Sequence, residues 1–72
     1  MKKSYSLIDL DCANCAAKME KNIKKIDGVR DATVSFLAQK LILDADDERF
    51  EEILQVAVEI IRRVDADCHV KL

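Results

Sequence analysis

Two cysteines three positions apart, Cys12 and Cys15, are the residues of this chain best suited to bind a metal ion. In a tight loop both thiolates can face one soft cation. The carboxylate of Asp11, directly before the first cysteine, can offer an oxygen to the same ion. Thiolate together with carboxylate suits a divalent, borderline-soft ion such as Zn(II) or Cd(II) better than Cu(I). Thiol–disulfide exchange is the alternative, because Cys-x-x-Cys is also a redox motif.

The pattern around this cysteine loop (residues 11–15) places it between a strand and a helix. Residues 4–10 alternate as a strand does, and the apolar positions after Cys15 recur at intervals of three and four, which is typical of one helix face. A helix N-terminus presents unpaired amides and positive potential, so we expect both thiols to ionise readily. Gly28 follows the last apolar position and is expected to end the helix.

The remaining sequence predicts two adjacent strands, a second helix and a final strand. An acidic cluster before the second apolar stripe indicates a helix start, capped by Asp46 or Asp47. The order β-α-β-β-α-β is that of the ferredoxin-like α+β fold, a four-stranded antiparallel sheet with two helices on one face. The later elements are expected at residues 29–36, 40–44, 50–64 and 68–72.

Composition indicates one small domain, residues 1–72. Half of the residues are hydrophobic and there is one Gly and no Pro, which is enough for a thin core with few flexible connections. No apolar run reaches the ~20 residues of a membrane helix, and no apolar region follows the basic start, so we expect a cytoplasmic chain that does not insert into a membrane. In that reducing compartment three cysteines indicate metal or redox chemistry rather than a structural disulfide.

Charge is divided unevenly along the chain, with a net +3 over residues 1–40 and −5 over residues 41–72. Two solvated helix faces are the simpler explanation, although such polarity can also orient a charged protein partner. The acidic balance and the presence of only three aromatic residues argue against nucleic-acid binding.

Three residues near the C-terminus are secondary candidates for the same site. The final strand should run antiparallel to the first, so Cys68 would begin at the end where the cysteine loop lies. A third sulfur ligand is therefore geometrically allowed, whereas the alternation of the strand favours a buried, apolar role for Cys68. Asp65 and Asp67 are expected in a turn that approaches the loop, as solvated residues or as groups that act on a divalent ion. His69 is expected on the open face of the sheet.

With these residues the sequence resembles the heavy-metal-associated domain family. Its members are the small metal-binding modules of soluble copper chaperones and of the N-terminal regions of heavy-metal-transporting P-type ATPases. The resemblance rests on residues 10–16, on residues 23–29 and on the strand that carries Ala32 and Val34. The family usually has Gly where this chain has Asp9, which puts a second carboxylate near the site.

The residue before the first cysteine separates branches of that family. Copper-binding members usually carry Met two positions before this cysteine and Thr or a His-like residue directly before it, whereas this chain has Leu10 and Asp11. Asp-Cys-x-x-Cys is similar to the zinc/cadmium/lead-transporting ATPases, in which the aspartate joins the cysteines as a ligand. The resemblance therefore implies Asp11, Cys12 and Cys15 as the metal ligands.

The resemblance also implies a binding module rather than an enzyme, and the chain carries no aspartyl-phosphate motif or nucleotide site. We expect a monomer that takes up one Zn(II) or Cd(II) ion, with Pb(II) or Cu(I) as the alternatives. It would deliver the ion to, or regulate, the membrane-embedded part of an exporting P-type ATPase, in the same or a partner chain. A free-standing metallochaperone is the second hypothesis, and a dithiol redox protein is the third.

Overall fold

The computed structural model describes residues 1–72 and contains the β-α-β-β-α-β order that the sequence predicts. The strands form one antiparallel sheet in the order β2-β3-β1-β4. This arrangement confirms the ferredoxin-like α+β fold. The elements are β1 (Lys2–Ile8), α1 (Ala13–Lys24), β2 (Val29–Ser35), β3 (Lys40–Ala45), a 3₁₀ turn (Asp47–Arg49), α2 (Phe50–Val64) and β4 (His69–Lys71).

One face of the sheet and the apolar stripes of both helices form the core. Cross-strand partners share a face of the sheet, and Leu41 pairs with Val34 while Leu43 pairs with Ala32. All of these side chains are buried, together with residues of both helices, so the helices cover the same face. Every buried side chain in the core is apolar, and burial of that surface stabilises the fold without any metal. The buried helix residues are Ala16, Met19, Ile23, Phe50, Ile53, Ala57 and Ile61.

The end of β1 differs from the prediction in a way that matters for the site. The strand alternation predicted for residues 4–10 places Ile8 and Leu10 on the same face, but Ile8 is 45% exposed and Leu10 is 2% exposed. The strand ends at Ile8, and Asp9 lies in the left-handed region at φ 62°. That turn resets the alternation and directs Leu10 into the core. Asp is one of the few residues with a Cβ that enter this region readily.

The first helix also ends earlier than expected. It stops at Lys24, with Lys25 as its C-cap, so the prediction that Gly28 ends the helix is wrong. Gly28 lies in the turn before β2 at φ 96°, and a Cβ there would lie 2.8 Å from the Cδ1 atom of Ile53. The turn conformation and the close approach of α2 therefore explain the glycine.

The acidic cluster opens the second helical segment as predicted, but it caps a 3₁₀ turn and not α2, whose N-cap Arg49 makes no side-chain cap. The Oδ1 atom of Asp46 accepts a hydrogen bond from the Glu48 N–H at 3.2 Å and caps the 3₁₀ turn that leads into α2. Neither α1 nor α2 combines the length and the apolar composition needed to cross a bilayer.

Candidate metal centre

The start of α1 brings the two cysteines of the loop to the same end of the molecule. Cys12 is the N-cap residue of α1, with φ −128° and ψ 116°. Its Sγ atom accepts a hydrogen bond from the Cys15 N–H at 3.1 Å, and its carbonyl oxygen accepts one from the Ala16 N–H at 3.1 Å. Both thiols are free and half-buried, so solvent and incoming ions can reach them.

The two thiols differ in their tendency to ionise. A hydrogen bond from the Cys15 thiol and a second from the Cys15 backbone N–H lower the pKa of Cys12, because both stabilise its thiolate. The same bond between the thiols raises the pKa of Cys15, which donates it, and partial desolvation raises this pKa further. The expectation that both thiols ionise readily is therefore wrong for Cys15. Cys12 is therefore the thiol that ionises more readily, and binding of a cation releases the protons that remain on the pair.

Asp11 lies beside this pair but does not complete a cluster with it. Its side chain is exposed, and the chain contains no group of three or more His, Cys, Asp or Glu side chains gathered closely enough to hold an ion. The structure thus brings together Cys12 and Cys15. Coordination by Asp11 stays a prediction, and it requires the carboxylate to turn toward the sulfurs when the ion binds.

The turn between α2 and β4 approaches the cysteine loop, as the antiparallel arrangement predicts. The charge of the half-buried Asp65 raises the pKa of both Cys12 and Cys15. Cys68 is 0% exposed, and burial, followed by the charge of Asp65, raises its pKa to about 11. It is a neutral core thiol, as its position in the strand pattern indicates. Asp67 and His69 are exposed.

Gln39 contacts the approach to the loop and is the residue that the sequence analysis missed. Its side-chain Oε1 accepts a hydrogen bond from the Leu10 N–H at 3.1 Å. Its Nε2 donates to the Leu10 carbonyl oxygen at 2.8 Å and to the Phe36 carbonyl oxygen at 2.8 Å. The sequence carries no signal for these contacts, because Gln39 stands in a short connection 29 positions away from Leu10.

The heavy-metal-associated domain model matches residues 4–68 of the chain. A probable cadmium-transporting ATPase of Staphylococcus aureus is 41% identical over 69 residues, which cover 86% of this chain and 9% of that protein. A cadmium, zinc and cobalt-transporting ATPase of Bacillus subtilis is 32% identical over 65 residues, or 90% of this chain and 9% of that protein. Among solved structures, the N-terminal domain of a potential copper-translocating P-type ATPase from Bacillus subtilis, in its Cu(I)-loaded state, superposes with a TM-score of 0.77. It is 25% identical and covers 99% of this chain and 84% of that one.

These similarities concern one domain and not a whole transporter, because the chain spans only 5 to 9% of the length of the curated relatives that it matches. The names of the relatives include cadmium, zinc and cobalt, while that of the solved structure includes copper, so the metal differs among them. The family model and the solved structure nevertheless agree on the kind of domain. With the family model accounting for nearly the whole chain and the fold matching along its full length, this chain belongs to the heavy-metal-associated domain family.

Proposed function

We propose that this domain binds one Zn(II) or Cd(II) ion through Cys12 and Cys15, with Asp11 as an oxygen ligand. It then delivers the ion to, or regulates, the membrane-embedded part of an exporting P-type ATPase. The observation that carries the proposal is the pair of half-exposed thiols held at the N-terminus of α1. Two ATPase relatives that are named for cadmium transport support the direction of the proposal.

An exposed site with few protein ligands suits an ion that is cargo. Closed structural zinc sites use four protein ligands and supply folding energy. Here neither Cys12 nor Cys15 belongs to the buried core, and that core already joins both helices to the sheet. The domain can therefore gain and lose the ion without unfolding. Water or ligands from a receiving site would fill the remaining positions around the metal.

The charges around the loop favour a divalent ion over a monovalent one. Asp65, Asp9 and Asp11 all raise the pKa of Cys68 through their charges, so this end of the molecule is in a negative field. A divalent cation gains about twice the Coulomb energy of Cu(I) in the same negative field. Zn(II) also completes a shell of about four ligands and accepts carboxylate oxygen, whereas two thiolates satisfy Cu(I).

Titration of the reduced protein with Zn(II), Cd(II), Pb(II) and Cu(I), each against a competing chelator, tests this function. X-ray absorption at the metal edge reports the number of sulfur and oxygen neighbours. We expect one tightly bound Cd(II) or Zn(II) per chain, with sulfur and oxygen both present in the shell. Tight Cu(I) binding by sulfur alone, together with no tight binding of divalent ions, would favour the copper metallochaperone. Disulfide-reductase activity without metal binding would favour the redox protein.

A further inference from the structure

We propose that Gln39 is a positioning residue for the cysteine loop: its side-chain amide clamps Leu10 and thereby fixes the path of the chain into the two thiols. The inference rests on the proposed binding of metal at Cys12 and Cys15. The clamp consists of the two hydrogen bonds that join the Gln39 amide to the N–H and the carbonyl oxygen of Leu10.

The clamp begins where the ladder between β1 and β3 stops. Ser6 pairs with Lys40, and the Leu7 N–H donates to the Gln39 carbonyl oxygen at 2.7 Å. Gln39 itself lies in the left-handed region at φ 54°, in the turn that precedes β3. From that point the side-chain amide takes the place of a neighbouring strand, since it offers one acceptor and one donor to Leu10 as a peptide group does.

Leu10 is consequently held from two sides. Its side chain is 2% exposed in the core, and both of its backbone polar groups are occupied by Gln39. Two residues later Cys12 is held as the N-cap of α1. Only Asp11 lies between these two fixed points. The thiols are therefore presented in a defined place before the ion arrives, and less conformational entropy is lost on binding.

A third contact fixes the orientation of the amide itself. The second N–H of Nε2 donates to the Phe36 carbonyl oxygen, so both donors of the side chain are used, one on Leu10 and one within its own turn. The side-chain length is critical, because the same group must reach its own turn and Leu10. An Asn at this position keeps the amide and tolerates the left-handed backbone, but it is one methylene shorter. A Met keeps approximately the length and removes every hydrogen bond.

The variants Gln39→Asn and Gln39→Met test the clamp, with Gln55→Met as the matched control on the exposed surface of α2. In metal-free, reduced protein we expect faster amide hydrogen exchange at Leu10 and Cys15 in both Gln39 variants, with unchanged exchange at the core amides of Leu43 and Ile61. With Cd(II) we expect the affinity of both variants to fall about tenfold, the lower end for loss of a group that supports a metal site. The control should match the wild type in both measurements.

Three results would overturn the positioning role. Unchanged Leu10 exchange and unchanged Cd(II) affinity in Gln39→Met, which has no amide, would show that the amide holds nothing. Accelerated exchange throughout the core would indicate a general contribution to stability instead. Wild-type protein that binds no Cd(II) would refute the proposed function. If Leu10 exchange were still faster in the variants, the clamp would hold the chain at Leu10 without serving a metal site.

Discussion

Cys12 has one role that the structure shows, as the N-cap of α1, and one that we propose, as a metal ligand. Two substitutions distinguish them. Its thiol is one of the two proposed sulfur ligands, and its Sγ atom also caps α1 by accepting the Cys15 N–H at 3.1 Å. Cys12→Ala removes both the ligand and the cap. Cys12→Ser removes the sulfur but leaves a hydroxyl that can accept the same hydrogen bond, because Ser is among the preferred N-cap residues.

The size of the stability change follows from that single hydrogen bond. Loss of an N-cap side chain costs about 1 kcal/mol of unfolding free energy. In a domain of this size, 1 kcal/mol lowers the melting temperature by roughly 4–8 °C. We therefore expect the melting temperature of metal-free Cys12→Ala to lie roughly 4–8 °C below that of the wild type. Cys12→Ser should melt close to the wild type, since the cap is retained.

Bound metal adds a second, larger difference that depends only on the sulfur. Free Cd(II) at one hundred times its dissociation constant stabilises the folded state by about 2.7 kcal/mol. For this domain that corresponds to a rise of roughly 10–20 °C in the melting temperature of the wild type. Neither Cys12 variant should show this rise, because Cys15 alone cannot hold the ion tightly.

The assay is thermal unfolding followed by circular dichroism, in a non-thiol reductant, with and without buffered Cd(II). A full Cd(II)-induced rise in Cys12→Ser would show that Cys12 is not a ligand. Equal melting temperatures for metal-free Cys12→Ser and Cys12→Ala would show that its sulfur does not stabilise α1. Either result would refute the corresponding half of the reasoning.

Three further predictions concern selectivity, metal removal and pH. Asp11→Ala should weaken Zn(II) binding by roughly 10–100-fold and leave Cu(I) affinity nearly unchanged in chelator competition; equal losses for both ions would remove the selectivity argument. Stripping the metal should leave the circular dichroism spectrum nearly unchanged, and a small thiol chelator should exchange the ion within seconds, whereas an unfolded apo state would indicate a structural zinc site. Burial raises the pKa of Cys68 from 9.0 to about 11, so the neutral thiol stabilises the fold below pH 9 and that contribution is lost as the pH rises to 11. Metal-free wild type should therefore lose stability over this interval more steeply than Cys68→Ala, and parallel curves would contradict the burial effect.

Features that depend on local periodicity could be predicted from the sequence. The helix stripes, the strand alternation and the acidic cap at Asp46 each repeat or act within a few residues, and together they define the β-α-β-β-α-β order. The position of Cys12 and Cys15 at a strand-to-helix corner follows from the same pattern. The buried state of Cys68 follows from alternation in the last strand.

Features that depend on a single dihedral angle or on a distant contact could not be predicted. The left-handed turn at Asp9 resets the alternation of β1, so the expected side for Leu10 was wrong. The raised pKa of Cys15 arises from its partner thiol and runs against the helix-terminus argument, which treats each sulfur alone. The contacts of Gln39 join segments 29 positions apart and leave no periodic trace in the sequence.

The most direct test of the account is a spectroscopic Cd(II) titration of reduced, metal-free protein beside its Cys12→Ser/Cys15→Ser double variant. Thiolate-to-metal charge-transfer absorption should rise linearly in the wild type and stop at one Cd(II) per chain. The double variant should show no such absorption while its circular dichroism spectrum stays that of a folded domain. A folded double variant that still binds one Cd(II) with thiolate absorption would place the ion at another sulfur and contradict a metal centre at Cys12 and Cys15.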